Sequence, residues 1–234
     1  MTDMTSAFAL AVDMLLRLDR DLLEIVGLSL RVSLSAVALA ALIGLPLGAA
    51  VALFRFPGRL VINALLTAFM GLPPVVVGLV VYLLLSRAGP LGVLGLLFTP
   101  AAMIIAQCLL ITPIIAALSA QTVADLHEEY DEQLRSLAAG PWQRLLTVLW
   151  DGRFRLLTAI LAGFGRAVAE VGAVMIVGGN INYATRVMTT AIALETSKGD
   201  LPLALGLGLV LISLSVAVNG AAYLLRDAAS LRHG

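Results

Sequence analysis

Residues 163–180 read GFGRAVAEVGAVMIVGGN, and this stretch decides the fold. It lies in an apolar run from Leu156 to Gly178, long enough to cross a bilayer, for which about 20 apolar residues suffice. Yet it carries Arg166 and Glu170. On a continuous helix Gly163, Arg166, Glu170, Ala173 or Val174, and Val177 share one face, and the two ions pair at i, i+4. A rise of about 1.5 Å per residue from Leu156 puts Arg166 roughly 15 Å deep. A charge at that depth costs at least about 2.5–3.5 kcal/mol, so the pair faces protein or water rather than lipid. Gly163, Gly165, Ala169, Gly172 and Ala173 let a neighbouring backbone approach closely. Two compatible readings follow: residues lining or gating a translocation pathway, or a structural ion pair knitting helices together.

Of 234 residues, 60% are hydrophobic and 13% charged, with a mean hydropathy of +1.01. A soluble domain has about 25% charged residues, so this composition belongs to an integral membrane protein. A net charge of zero removes the electrostatic footprint of a nucleic-acid binder. The single cysteine, Cys108, excludes an intramolecular disulfide and a cysteine-built metal site. Residues 1–20 hold Asp3, Asp13, Arg17, Asp19 and Arg20. They lack the order of a cleaved signal peptide and read as an N-terminal interfacial amphipathic helix.

The remainder, 21–234, reads as one transmembrane domain with about five spans, an all-α polytopic fold. The spans run from about Ile25 to Phe54, Val61 to Leu85, Leu94 to Leu118, Leu156 to Gly178 and Leu201 to Leu225. The first is long enough to tilt, and Arg31 near its start reads as an interfacial anchor. In the second, Pro73 and Pro74 remove two backbone donors and force a kink or break, tolerated at membrane depth where it is buried or lines a cavity. Pro100 and Pro113 bracket the interior of the third, and Gln107 between them is placed to hydrogen-bond across helices.

Two connections exceed a turn. Residues 121–155 read as a polar loop of two short helices broken around Gly140-Pro141; Leu137, Trp142, Leu145, Leu146, Leu149 and Trp150 give it an apolar face suited to a protein partner. Residues about 181–200 are too short to span and read as an outer or re-entrant hairpin. With 121–155 in the cytoplasm, Arg55, Arg59, Arg135, Arg144, Arg153, Arg155, Arg226 and Arg232 fall inside, and Arg17, Arg20, Arg87, Arg186 and Lys198 outside. That bias puts the N-terminus outside and the C-terminus in the cytoplasm. Enzyme chemistry finds no support: there is no Walker loop and no HExxH. His127 and His233 fall in cytoplasmic segments, and no nucleophile arrangement gathers within the spans.

EQLRSLAAGPWQRLLTVLWD (132–151) resembles the loop by which permease subunits of ABC importers dock on their ATPase. Glu132 matches that family's glutamate and Leu137 the residue before its glycine, whereas Ala138 replaces the glycine and Asp151 sits where its proline usually is. Four stretches resemble the oxyanion importers, and within them the tungstate-type permeases: MGLPPVVVGLVVYLLLSRAGPLG (70–92), LFTPAAMIIAQ (97–107), LAGFGRAVAEVGAVMIVGGNI (161–181) and TRVMTTAIALETSKGD (185–200). Similarity to molybdate permeases is looser, centred on the proline pair and the region of Glu170 and Gly172. The resemblance implies a type I ABC importer permease fold in a bacterial or archaeal cell membrane. It implies a homodimer, two cytoplasmic ATPase subunits that bind ATP and Mg, and an extracytoplasmic oxyanion-binding protein; this chain itself would hold no cofactor. It further implies a pathway or gate at Arg166, Glu170, Pro73, Pro74, Gly163 and Gly172. ATPase docking would fall to Glu129, Glu132, Leu137, Ala138, Gly140, Trp142 and Leu145, and binding-protein docking to Arg186, Glu195, Lys198 and Asp200.

Overall fold

The computed structural model describes residues 4–17, 19–54 and 56–230, and among them the regular structure is helical throughout. Asp3, Arg55, Arg232 and His233 lie outside the described residues, as do the side chains of Arg135 and Arg226. The helices are α1 Met4–Leu16, α2 Arg20–Leu53, α3 Arg59–Met70, α4 Pro74–Leu85, α5 Pro100–Ser136, α6 Pro141–Asp151, α7 Arg153–Val168, α8 Gly172–Gly178, α9 Met188–Lys198 and α10 Leu201–Ser230. By length and composition α2, α5 and α10 can each cross a membrane alone. The pairs α3/α4 and α7/α8 pass the same test only when taken together across their breaks, which brings the total to five.

One break that the sequence announced, and two departures from the sequence reading, have local causes. The second span is interrupted at 71–73 because Gly71 ends α3 and Pro74 starts α4, the proline costing nothing at a position whose N–H has no intrahelical partner. The third begins at Pro100 rather than Leu94, since a 3-10 turn at Gly92–Leu94 and left-handed residues at Gly95 and Phe98 precede it. It then continues to Ser136, so the acidic first half of the expected 121–155 loop is the end of α5. Nothing between Leu118 and Ser136 breaks a helix, and Ala120, Val123, Leu126 and Leu134 keep a buried stripe along it.

The chain divides into two compact units. The first comprises Met1–Ala36, Pro73–Gln107 and Arg166–Ala217. Here Ala11 of the N-terminal helix is fully buried, so one face of that helix packs on protein. Helix α4 packs against α8 at very short range: a Cβ on Gly78 would lie 2.7 Å from Ala173 Cα. Close approach at small residues is how helices associate where lipid offers no hydrophobic drive.

The second unit comprises Val37–Leu72, Cys108–Gly165 and Val218–Gly234. Its core joins Ala49 and Ala52 of α2, the α5 stripe, and Leu145 and Val148 of α6. Burying a side chain such as Leu145 is worth about 1.5–3 kcal/mol, which holds α6 on the end of α5. Its opposite face, with Trp142, Leu146 and Trp150, stays exposed.

Candidate functional site

The fourth span does not run through Glu170 as one helix: α7 stops at Val168 and α8 starts at Gly172. Such an interruption strips main-chain groups of their helical partners, and in a buried setting each must be satisfied. Here several of them are satisfied, most through side chains. The Ala167 carbonyl accepts from Gln107 Nε2 of α5 at 3.0 Å and from the Glu170 N–H at 3.2 Å. The Glu170 carbonyl accepts from Thr189 Oγ1 of α9 at 2.7 Å. Glu170 Oε1 accepts from the Ala173 N–H at 3.0 Å, capping α8, where a negative charge is favoured by the helix dipole.

The other carboxylate oxygen, Oε2, accepts from Arg166 Nη1 at 2.8 Å, so the expected ion pair forms across the break. The two partners are unequally placed: the Glu170 side chain is 3% exposed and that of Arg166 35%. A carboxylate so buried is tolerated because both oxygens accept charge-assisted or main-chain hydrogen bonds. The guanidinium, with five N–H donors of which the carboxylate uses one, keeps donors turned outward.

Around this centre Ser29 of α2 accepts from the Met188 N–H and donates to the Ile25 carbonyl, each at 2.7 Å, tying α9 to α2. Gln107 is the interhelical hydrogen-bonder its position suggested. Thr189 and Ser29 were not singled out from the sequence; hydroxyls are common, and only their burial at 8% and 6% exposure marks them.

The other sequence candidates are dispersed. Pro73 and Pro74 form the start of α4. Gly172 faces Val75 of that helix, and Gly163, in the second unit, packs on Ile111 and Ile115. Glu129 and Glu132 are exposed on the last turns of α5, and Leu137 and Trp142 are exposed beyond it. Leu145 points the other way, into the core, at 6% exposure. Ala138 has φ of 49°. The Ala139 N–H donates to the Leu134 carbonyl at 3.0 Å, the 6→1 bond of a Schellman cap in which glycine is usual at this residue. Gly140 precedes α6, its N–H bonded to Gln143 Oε1 at 2.9 Å.

The expected outer hairpin is a helix, α9, with Met188, Thr189, Thr190 and Ala191 buried. Glu195 is buried as well, and its Oε1 pairs with Lys198 Nζ at 3.0 Å and Arg186 Nη1 at 3.5 Å. Lys198 and Asp200 are exposed. At the entrance to α2, Tyr183 donates to Asp21 Oδ1 at 3.2 Å, which raises the phenol pKa above its usual value because ionisation would lose that bond and face the carboxylate.

Three membrane-length apolar helices and two bent pairs that reach that length together, one of them broken around a buried carboxylate, with an amphipathic helix that leaves two tryptophans exposed, define a multi-pass membrane transport component. Residues 44–230 match the family of binding-protein-dependent transport system inner membrane components, and the chain belongs to that family. It is therefore a permease subunit of the ABC transporter type, with the all-helical type I importer permease fold. It is 41% identical over 218 residues to a probable anion ABC transporter permease protein of Haloferax volcanii, covering 91% of this chain and 94% of that protein. It is 40% identical over 220 residues to the tungstate uptake system permease protein TupB of Peptoclostridium acidaminophilum, covering 94% and 96%. A more distant relative, the sulfate transport system permease protein CysW of Escherichia coli K12, is 30% identical over 183 residues, covering 75% and 63%.

Proposed function

We propose that this chain is the membrane-spanning subunit of an ATP-driven importer that moves a tetrahedral oxyanion, tungstate, across the cell membrane by alternating access. Two copies form the pathway, two cytoplasmic ATPases bind ATP and Mg and drive it, and an extracytoplasmic binding protein delivers the anion. The N-terminus lies outside and the C-terminus in the cytoplasm. Similarity over nearly the whole chain to permeases named for anion and tungstate uptake supports the substrate class.

The observation that carries the reading at residue level is the lopsided ion pair. Arg166 offers a guanidinium at the edge of the broken span, while Glu170 holds one side of it. A guanidinium matches oxyanion geometry, and a carboxylate already bound to it weakens the grip, so a passing anion is attracted without being trapped. The exposed face of α6, with Trp142 and the neighbouring Leu137, docks the ATPase. Lys198 and Asp200 face the binding protein, with Arg186 and Glu195 supporting them from behind.

The test is uptake of labelled tungstate into proteoliposomes holding the assembled transporter. Arg166→Ala should lower the uptake rate tenfold or more while the permease still co-purifies with its ATPase. Unchanged uptake removes Arg166 from the route, and loss of co-purification assigns it to structure instead. Competition by molybdate and sulfate in the same assay decides which oxyanion the system prefers.

A further inference from the structure

Beside the break in the fourth span lies a small polar cavity lined by Ser29, Ser33, Gln107, Glu170 and Thr189, each more than nine-tenths buried. Its volume of about 10 Å³ is at the lower limit for holding one water. Most of its polar groups are already engaged. Ser29 both donates and accepts, Thr189 donates to the Glu170 carbonyl, and both carboxylate oxygens of Glu170 accept from protein donors. Gln107 stands out: its Nε2 is bound to the Ala167 carbonyl, but its Oε1 is buried without a protein partner. A buried acceptor left unpaired is unfavourable, and most such groups in folded proteins are satisfied by ordered water when protein offers none.

We infer that this cavity is a binding site for one ordered water molecule, which donates to Gln107 Oε1 and shares a second hydrogen bond with the Ser33 hydroxyl. The site suits water better than an ion. A metal cation needs several oxygens around it, and the only carboxylate at the cavity is already committed to Arg166 and the Ala173 N–H. A tetrahedral oxyanion is far larger than the space. The water ties α2, through Ser33, to α5, through Gln107, beside the break. It completes the polar lining with a mobile group where a rigid one would lock the helix end. The inference does not depend on which substrate the protein carries.

A density map of the assembled transporter in which ordered waters are resolved tests it directly. One peak should lie about 2.7–3.2 Å from Gln107 Oε1 and within the same reach of Ser33 Oγ. An empty cavity, or a Gln107 amide turned so that Oε1 meets a protein donor, overturns the site. In Ser33→Ala the peak should vanish or move, and the thermal midpoint should fall by about 2–4 °C, the shift expected for one lost hydrogen bond in a chain of this size. A peak unmoved in that variant, or a midpoint that rises as it would for a hydroxyl facing a dry cavity, overturns the bridging role.

Discussion

Between α3 and α4 the chain breaks for reasons written in the broken residues themselves. Gly71 ends one helix, its N–H bonded to Ala68 O at 3.1 Å, and Pro73-Pro74 begin the next. Between α7 and α8 nothing in the local sequence forbids a helix; Ala169, Glu170 and Val171 could all continue it. That break is held from elsewhere, by Gln107, Thr189 and the carboxylate of Glu170 itself. Both breaks feed the same contact, for α4 and α8 are the helices that restart, and they meet at Gly78 and Ala173. A break of covalent origin survives most substitutions around it, whereas one of tertiary origin is only as stable as its partners.

The largest effect should come from removing the partner that does most. Glu170→Ala strands Arg166 and uncaps α8, and should cost about 3 kcal/mol, the low end for breaking a buried pair because Arg166 is partly solvated. Pro73→Ala should cost less than about 1 kcal/mol, since Gly71 and Pro74 remain to force the break. Thermal unfolding of the two variants in one detergent compares them, and equal losses would erase the distinction between the breaks. Next comes the contact they share. Gly78→Ala drives a methyl into the Ala173 backbone and should cost about 1–3 kcal/mol, read the same way.

A third interruption, between α5 and α6, is local like the first but carries the wrong residue for it. Ala138 holds a positive φ that costs an L-residue about 1–2 kcal/mol, so Ala138→Gly should raise stability by about 1 kcal/mol.

The smallest effect is at Tyr183, whose bond to Asp21 raises its pKa. A group whose pKa is raised by folding contributes below its unfolded value and loses that contribution as pH climbs through the folded one. The advantage of the wild type over Tyr183→Phe should therefore be full at neutral pH and fade above about pH 10, as followed by melting at stepped pH.

The same difference in origin explains what the sequence could reveal. Prolines, glycines and apolar runs act on their own neighbours, so the five spans, the disturbance at Pro73-Pro74 and the turn near Gly140-Pro141 were all legible. The Arg166–Glu170 pair was legible as well, because four residues still bring the two side chains together across the break. That Glu170 stands at a helix start was not legible, since its cause lies 19 residues away at Thr189 and 60 residues from Ala167 at Gln107. The burial of Leu145 and Glu195 was not legible for a related reason. Each lies in a mixed stretch where amphipathic patterning marks a buried face without telling which residue turns inward, and each turns inward.

The division of labour on the Glu170 carboxylate has a consequence. One oxygen holds the arginine and the other holds the Ala173 N–H, a group that in an unbroken helix would bond the Ala169 carbonyl. Mending the helix would free that oxygen, and pulling the guanidinium away would leave the other one, Oε2, seeking a donor. Helix start and arginine position thus rest on one side chain, each on its own oxygen. A substitution of Glu170 therefore removes both supports at once, whereas one of Arg166 removes only the first.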